Sequence, residues 1–233
     1  MKNHPLLLTG LGLLACTSLA HAAIVTFTID PVLSSLTLAA DIMGVPLLEQ
    51  TAGSLFDAYN GTITGDLIAG TLTFTGSSVI TAAANPAAPG SGFLPAGAGV
   101  ENYAVTIPAG LGGGSIAFRD MVFDITSGSV LSGSPSSATF AFTAGHGDYD
   151  AAAFGVGSLD LTGEAPVANA SGANATITVV GLTETLTIPI SLTYTGDVNA
   201  TFTGQLIATR TIPEPTSLVL GLAGLLSILR RRR

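Results

Sequence analysis

Alternation at period two runs through most of this chain and constrains its fold more than any other feature. Apolar residues alternate with threonine or serine in stretches such as "IVTFTI" at 24–29, "TLTFTG" at 71–76 and "ATFAFT" at 138–143. Because successive side chains of a strand point to opposite faces, this pattern is typical of half-buried strands. About a dozen such stretches and no convincing helical pattern in the body predict an all-β fold. The other stretches are 35–39, 61–69, 78–82, 103–107, 116–126, 154–161, 175–180, 183–194 and 198–209.

Segments that contain glycine separate these stretches and predict hairpin turns, since glycine adopts positive φ without strain. Residues 85–99 and 127–137 are rich in Pro, Gly, Ser and Ala, so we expect long surface loops there. Many short strands joined in this way predict a single antiparallel β-sandwich, jelly-roll-like, with a β-solenoid as the alternative. The predicted turns are Gly65-Asp66, Gly70, Gly76, Gly181-Leu182 and Gly196-Asp197.

The charge distribution excludes one class of partner. Hydrophobic residues make up 47% of the 233 residues and charged residues 9%, which favours a folded chain with a buried core. Between residues 23 and 212 there are 14 acidic residues but only two basic ones, Arg119 and Arg210. Nucleic acids bind basic surfaces through their phosphates, so we exclude nucleic acid as a partner.

The N-terminal residues 1–22 have the three parts of a secretory signal peptide. Lys2 supplies the positive start, 6–14 the apolar stretch, and Ala20 and Ala22 the small residues before cleavage at Ala23. Export is therefore expected. The alternative is a lipoprotein signal in which Cys16, the single cysteine of the chain, is lipidated.

The C-terminal residues form a second three-part segment. Pro213-Glu214-Pro215 predicts a stiff extended spacer, because proline disfavours helical geometry at the preceding residue. Residues 216–229 carry no charge and, as a helix, would extend roughly 21 Å, short of the roughly 30 Å hydrocarbon core. We therefore expect a short or transient transmembrane helix whose final arginines stay in the cytoplasm. These are Arg230, Arg231, Arg232 and Arg233.

This order of spacer, apolar helix and arginine cluster resembles the PEP-CTERM sorting signal of Gram-negative bacteria. The resemblance covers about the last twenty residues. It implies that an exosortase, a membrane protease-transpeptidase, recognises Pro213, Glu214 and Pro215 and removes the helix. It also implies a link to exopolysaccharide and biofilms. We therefore expect a signal peptide at 1–22, one exported β-rich domain at 23–209 and a sorting signal at 210–233. The expected partners are the secretion machinery, exosortase, the inner membrane transiently and, as a candidate, exopolysaccharide.

The segment "GHGDYD" at 145–150 contains the main candidates for chemistry in the body. His146 with Asp148 or Asp150 resembles two members of a Ser-His-Asp arrangement, but a flexible polar loop explains the same residues. Asp148 and Asp150 are also a weak candidate for Ca²⁺, which needs six to eight oxygen ligands, more than this segment offers. We otherwise expect no cofactor or metal.

No other pattern concentrates catalytic groups. A pair of acids for glycoside hydrolysis can arise by chance among 14 carboxylates, and the chain has no tryptophan to stack on a sugar. The Thr-x-Thr pairs could match an ice lattice, but they are also typical of an exposed sheet face. The sequence predicts a non-enzymatic surface or matrix protein with a structural or adhesive role. A secreted carbohydrate-binding or glycan-hydrolysing protein is the alternative.

Overall fold

The computed structural model describes residues 23–88, 95–196 and 198–213. This part contains seventeen β-strands, two short 3-10 turns and no α-helix, which confirms the all-β prediction. The strands are β1 Ala23–Ile29, β2 Ser35–Ile42, β3 Val45–Pro46, β4 Leu48–Glu49, β5 Phe56–Ile68, β6 Thr71–Phe74, β7 Val79–Ala82, β8 Glu101–Ile107, β9 Gly114–Ser127, β10 Ser129–Leu131, β11 Ser134–Pro135, β12 Thr139–Ala151, β13 Gly155–Asp160, β14 Val167–Ala168, β15 Asn174–Val180, β16 Thr183–Tyr194 and β17 Asn199–Thr211.

The predicted targeting segments fall almost entirely outside the described residues. The signal peptide at 1–22 lies outside them, as do 214–233 with the apolar helix and the arginine cluster. Ala23 and Pro213 are the described members of the predicted cleavage site and sorting motif. In the described ranges, no helix has the length and apolar character that a membrane crossing requires.

All strand pairs are antiparallel, and they form two groups. In the first, β15, β16, β17 and β2 follow one another, and β16 pairs with β17 along its whole length from Thr183 to Tyr194. In the second, β9 pairs with β8 on one edge and with β12 on the other, and β12 continues to β13. Strand β5 joins the groups because it pairs with β1, β2 and β7, and β7 pairs with β9.

Ring contacts show that the two groups face each other across the core. Phe202 of β17 lies 5.8 Å from Phe123 of β9, between ring centroids, and Tyr194 of β16 lies 4.7 Å from Phe142 of β12. Neither contact joins strands that share backbone hydrogen bonds. The fold is therefore sandwich-like, with aromatic side chains from both layers at its centre.

The period-two pattern places apolar side chains on the buried face and polar side chains on the outer face of the strands, as predicted. Along β16 the leucines, isoleucines and the tyrosine are buried, while the intervening Thr, Pro and Ser residues are not. One row of paired threonines crosses the outer face over five neighbouring strands. Because adjacent strands rotate by roughly 20–25°, such a row is twisted rather than flat. The row consists of Thr178, Thr185, Thr209, Thr28 and Thr62.

Four local predictions are wrong. Gly76 is not a hairpin turn, because β6 and β7 on either side of it both pair with β5 and not with each other. The segment 127–137 is not only a loop, because it contains β10 and β11, and Val130 at the centre of β10 is fully buried. Gly65-Asp66 is not a turn but lies inside β5, where a Cβ on Gly65 would be 2.5 Å from the Thr73 carbonyl oxygen. Residues 145–150 are not a flexible loop but part of β12. Gly65 thus allows two strands to pack closely. Gly145 lies where the register between β12 and β9 is irregular.

The described chain enters and leaves at the same end of the fold. Strands β1 and β17 are antiparallel with Thr28 opposite Thr209, so Ala23 and Thr211 lie at one end, here called the base. The opposite end, where β2 finishes at Ile42 and β17 begins at Asn199, is called the tip. At about 3.3 Å per residue, the thirteen residues of β17 place tip and base about 40 Å apart.

Candidate functional site

A groove of about 520 Å³ opens at the tip between the two layers. Its floor is made of core residues that are almost fully buried, namely Ile42, Ile107 and Ile116. Its lip carries two apolar side chains that are strongly exposed, Met43 at 87% and Phe154 at 55%. Among the described residues that line the groove, none is charged. The remaining lining residues are Tyr149, Leu159, Gly196, Val198 and Asn199.

Met43 lies in the two-residue hairpin turn between β2 and β3. Met43 and Gly44 have φ of +53° and +78°, the positive values that such a turn requires, and Ala69 and Gly70 form the same kind of turn between β5 and β6. A carboxylate oxygen of Asp41 accepts a hydrogen bond from the Gly44 N–H at 2.9 Å and another from the Asn199 side-chain amide at 3.0 Å. These bonds tie the turn to the first residue of β17, so the exposed position of Met43 is fixed by its neighbours.

A cluster of charged side chains lies on the outer face of β9 and β12, away from the core. Arg119 is 2% exposed, and its guanidinium contacts Asp148 and lies 2.7 Å from Glu101. It also donates to the Pro95 carbonyl oxygen at 3.0 Å, so residues from 95 onward cover it. Gly97 sits directly above, because a Cβ there would overlap Asp148. The cluster fastens this stretch of chain to the sheet.

His146 belongs to the same cluster. Its Nε2 atom lies 3.3 Å from Asp148 Oδ2 and 3.1 Å from the carbonyl oxygen of Ala98, and its side chain is 29% exposed. In the described part of the chain, no hydroxyl group is hydrogen-bonded to it. The structure thus brings together the predicted pair His146 and Asp148, and their contacts join a strand to the covering segment.

Asp150, the other predicted calcium ligand, is two residues further along β12 and is exposed. The Asp148 carboxylate is already engaged by Arg119, whose charge opposes a cation at the same oxygen. The described residues contain no group of three or more His, Cys, Asp or Glu that could hold a metal ion. Calcium binding at Asp148 and Asp150 stays a prediction.

Asp57 is a buried carboxyl group in β5, 3% exposed, on the core side of the sheet. One carboxyl oxygen accepts from the Ala58 N–H at 2.8 Å, and the other has no hydrogen-bond partner. Burial raises the pKa of Asp57 to about 8, against the opposing effects of the Ala58 N–H and the Asn102 side chain. The folded protein therefore keeps this carboxyl group protonated at neutral pH.

We predict that protein stability falls as the pH rises from about 4 to about 8. In this window the folded chain holds a proton on Asp57 that the unfolded chain has released, so the proton stabilises the folded state most at low pH. A single group of this kind changes the free energy of unfolding by up to about 1.4 kcal/mol per pH unit. Urea unfolding at pH 5, 6, 7 and 8, followed by circular dichroism, measures the slope.

Two variants test whether Asp57, and not another acidic residue, causes this pH dependence. Asp57→Asn is neutral at every pH and should remove most of the slope. Asp150→Asn, a control at an exposed strand position, should keep the slope of the unmodified protein. If Asp57→Asn and the unmodified protein gave parallel profiles, the assignment to Asp57 would be wrong.

No protein-family model, curated protein or solved structure matches this chain. Its candidate sites are therefore defined by their own geometry. The groove was missed at the level of sequence because its lining comes from ends of strands that are far apart in the chain. The charged cluster had one available signal, since Arg119 is one of only two basic residues between 23 and 212. A lone arginine inside an alternating strand pattern indicates a buried partner.

Proposed function

We propose that this chain is an exported protein that is processed at its C-terminal motif and displayed on the cell surface or in the extracellular matrix of a Gram-negative bacterium. Its role there is structural or adhesive rather than enzymatic. The observation that supports this best is the placement of the groove. Both ends of the described chain lie at the base, whereas the groove opens about 40 Å away at the tip.

This placement suits a protein held by its C-terminal segment. During sorting, the apolar helix at 216–229 would lie in the inner membrane with its arginines in the cytoplasm. The base would then face the membrane and the tip would face outward. A jelly-roll connection of the strands and contact with exopolysaccharide belong to the same proposal.

The alternative is a secreted carbohydrate-binding or glycan-hydrolysing protein. Hydrolysis by the usual route needs two carboxyl groups on either side of the sugar bond. The described residues that line the groove provide the hydroxyl of Tyr149 and the amide of Asn199, but no carboxyl group. Within this alternative, the groove favours binding over hydrolysis.

The test is the delivery of the full chain in a host that carries an exosortase. We expect the protein at the surface or in the medium, shortened by removal of its C-terminal helix. Replacing both Pro213 and Pro215 by alanine should leave it unprocessed in the inner membrane. Surface protease treatment and membrane fractionation measure the location, and mass spectrometry measures the cleavage.

Thr216→Ala is the matched control, since it changes a residue beside the motif and leaves both prolines in place. It should be processed normally. If deletion of 213–233 or the double proline variant left surface delivery unchanged, the sorting proposal would fail.

A further inference from the structure

We propose that the groove at the tip binds the alkyl chain of an uncharged amphiphile, with the hydroxyl-bearing head group at the lip. This inference goes beyond the proposed function and does not rest on it, because it follows from the lining of the groove alone. A volume of about 520 Å³ lies within the roughly 300–1,000 Å³ of sites for small ligands.

The lining favours a hydrocarbon chain over a peptide. Its floor of three isoleucines continues the core, and the only polar groups among its described side chains are the Tyr149 hydroxyl and the Asn199 amide. A peptide in this position would lose water from its N–H and C=O groups and gain few partners for them. An alkyl chain has no such groups, so its burial is favourable along its whole length.

The charges around the groove disfavour an anionic head group. The described residues contain two arginines and no lysine, and both arginines form ion pairs outside the groove. Arg119 is enclosed on the outer face of β9, and Arg210 pairs with Glu184 at 2.5 Å near the base. Two carboxylates lie beside lining residues: Asp41 accepts a hydrogen bond from the Asn199 amide, and Glu164 lies next to Gly196. These carboxylates would repel a negatively charged head group, whereas a hydroxyl group can form hydrogen bonds with the side chains of Asp41 and Asn199.

The side chain that the β2–β3 turn presents at the lip suits an apolar ligand. Met43 is held at positive φ with its side chain 87% exposed, at the lip of an apolar groove. Asparagine or glycine would meet the backbone requirement with less strain, and neither would expose an apolar side chain. A flexible thioether at a lip adapts readily to an apolar ligand.

The test follows the methyl group of Met43 by NMR in the full chain labelled with ¹³C-methyl methionine. The chain has three methionines, and Met121 is fully buried and serves as an internal reference. Hexyl, octyl and decyl maltoside are titrated below the concentrations at which they form micelles. Affinity should rise about fourfold per methylene group, which corresponds to about 0.8 kcal/mol. Maltose alone should leave the Met43 signal unchanged, and decanoate should bind more weakly than decyl maltoside.

Two phenylalanines of nearly equal exposure give the matched variants. Phe154→Ser removes an apolar side chain from the lip and should weaken decyl maltoside binding about tenfold. Phe56→Ser changes a side chain that is 53% exposed and outside the groove, and it should leave the affinity unchanged. Affinity that does not depend on chain length, equal effects of the two variants, or a Met43 shift with maltose would each overturn the proposal. Tighter binding of decanoate would overturn the uncharged head group.

Discussion

Replacing Arg119 by methionine is expected to lower the free energy of unfolding by about 3–5 kcal/mol, the range for removing one partner of a buried ion pair. The guanidinium is 2% exposed and contacts both Glu101 and Asp148. Methionine retains much of the apolar stem but leaves two carboxylates without their counter-charge, and that of Asp148 is in a buried residue. Urea unfolding at constant pH, followed by circular dichroism, measures the loss.

Two further variants test whether charge is the cause. Adding Asp148→Asn to Arg119→Met removes one of the uncompensated charges and should recover part of the lost stability. Arg210→Met is the matched control, since it leaves one carboxylate without its counter-charge, that of Glu184, whereas Arg119→Met leaves two. A loss for Arg119→Met no larger than that for Arg210→Met would contradict the explanation.

Phe202→Ala is the second substitution with a large expected effect, again about 3–5 kcal/mol of unfolding free energy. Phe202 lies at the centre of the sandwich, where its ring centroid is 5.7 Å from that of Tyr103 and 5.8 Å from that of Phe123. It is 1% exposed, and both layers pack against it, so truncation leaves a cavity that neither layer can fill without moving. The midpoint and slope of urea unfolding measure the change.

Phe56→Ala is the control for this experiment, because the Phe56 side chain on β5 is 53% exposed. Its effect should remain within about 0.5 kcal/mol, as is usual for surface substitutions. Phe202→Leu should retain more stability than Phe202→Ala, since leucine fills part of the space. Equal losses for Phe202→Ala and Phe56→Ala would show that the aromatic centre contributes little.

The strands could be predicted because each one carries its signal locally. The stretch 183–194 was predicted with the bounds that β16 has in the structure, since alternation continues without a break and glycine stands at the turn before it. The alternation of apolar and polar residues does not identify strands that are short or irregular. β10 and β11 have too few residues to show a period, and glycine in β12 indicates a loop although it serves an irregular strand register.

The candidate sites could not be predicted in the same way, because their residues meet only after folding. Arg119 and Asp148 are 29 positions apart, and the groove joins Ile42 to Asn199. Asp57 occurs in an alternating strand like any exposed acid, and only the folded structure shows that its side chain is on the buried face of β5. The sequence therefore identified His146 and Asp148 as notable residues but not the arginine that they accompany.

The scarcity of basic residues in the body also affects how readily proteases can cut the folded domain. Trypsin-like enzymes cut after arginine or lysine, and residues 23–213 offer only the bonds after Arg119 and Arg210. Both bonds are held within paired strands, β9 and β17, and the first arginine is enclosed by the chain above it. Cutting at either one requires local unfolding of a central strand. The ion pairs of these two arginines thus help to protect the few bonds that trypsin could cut.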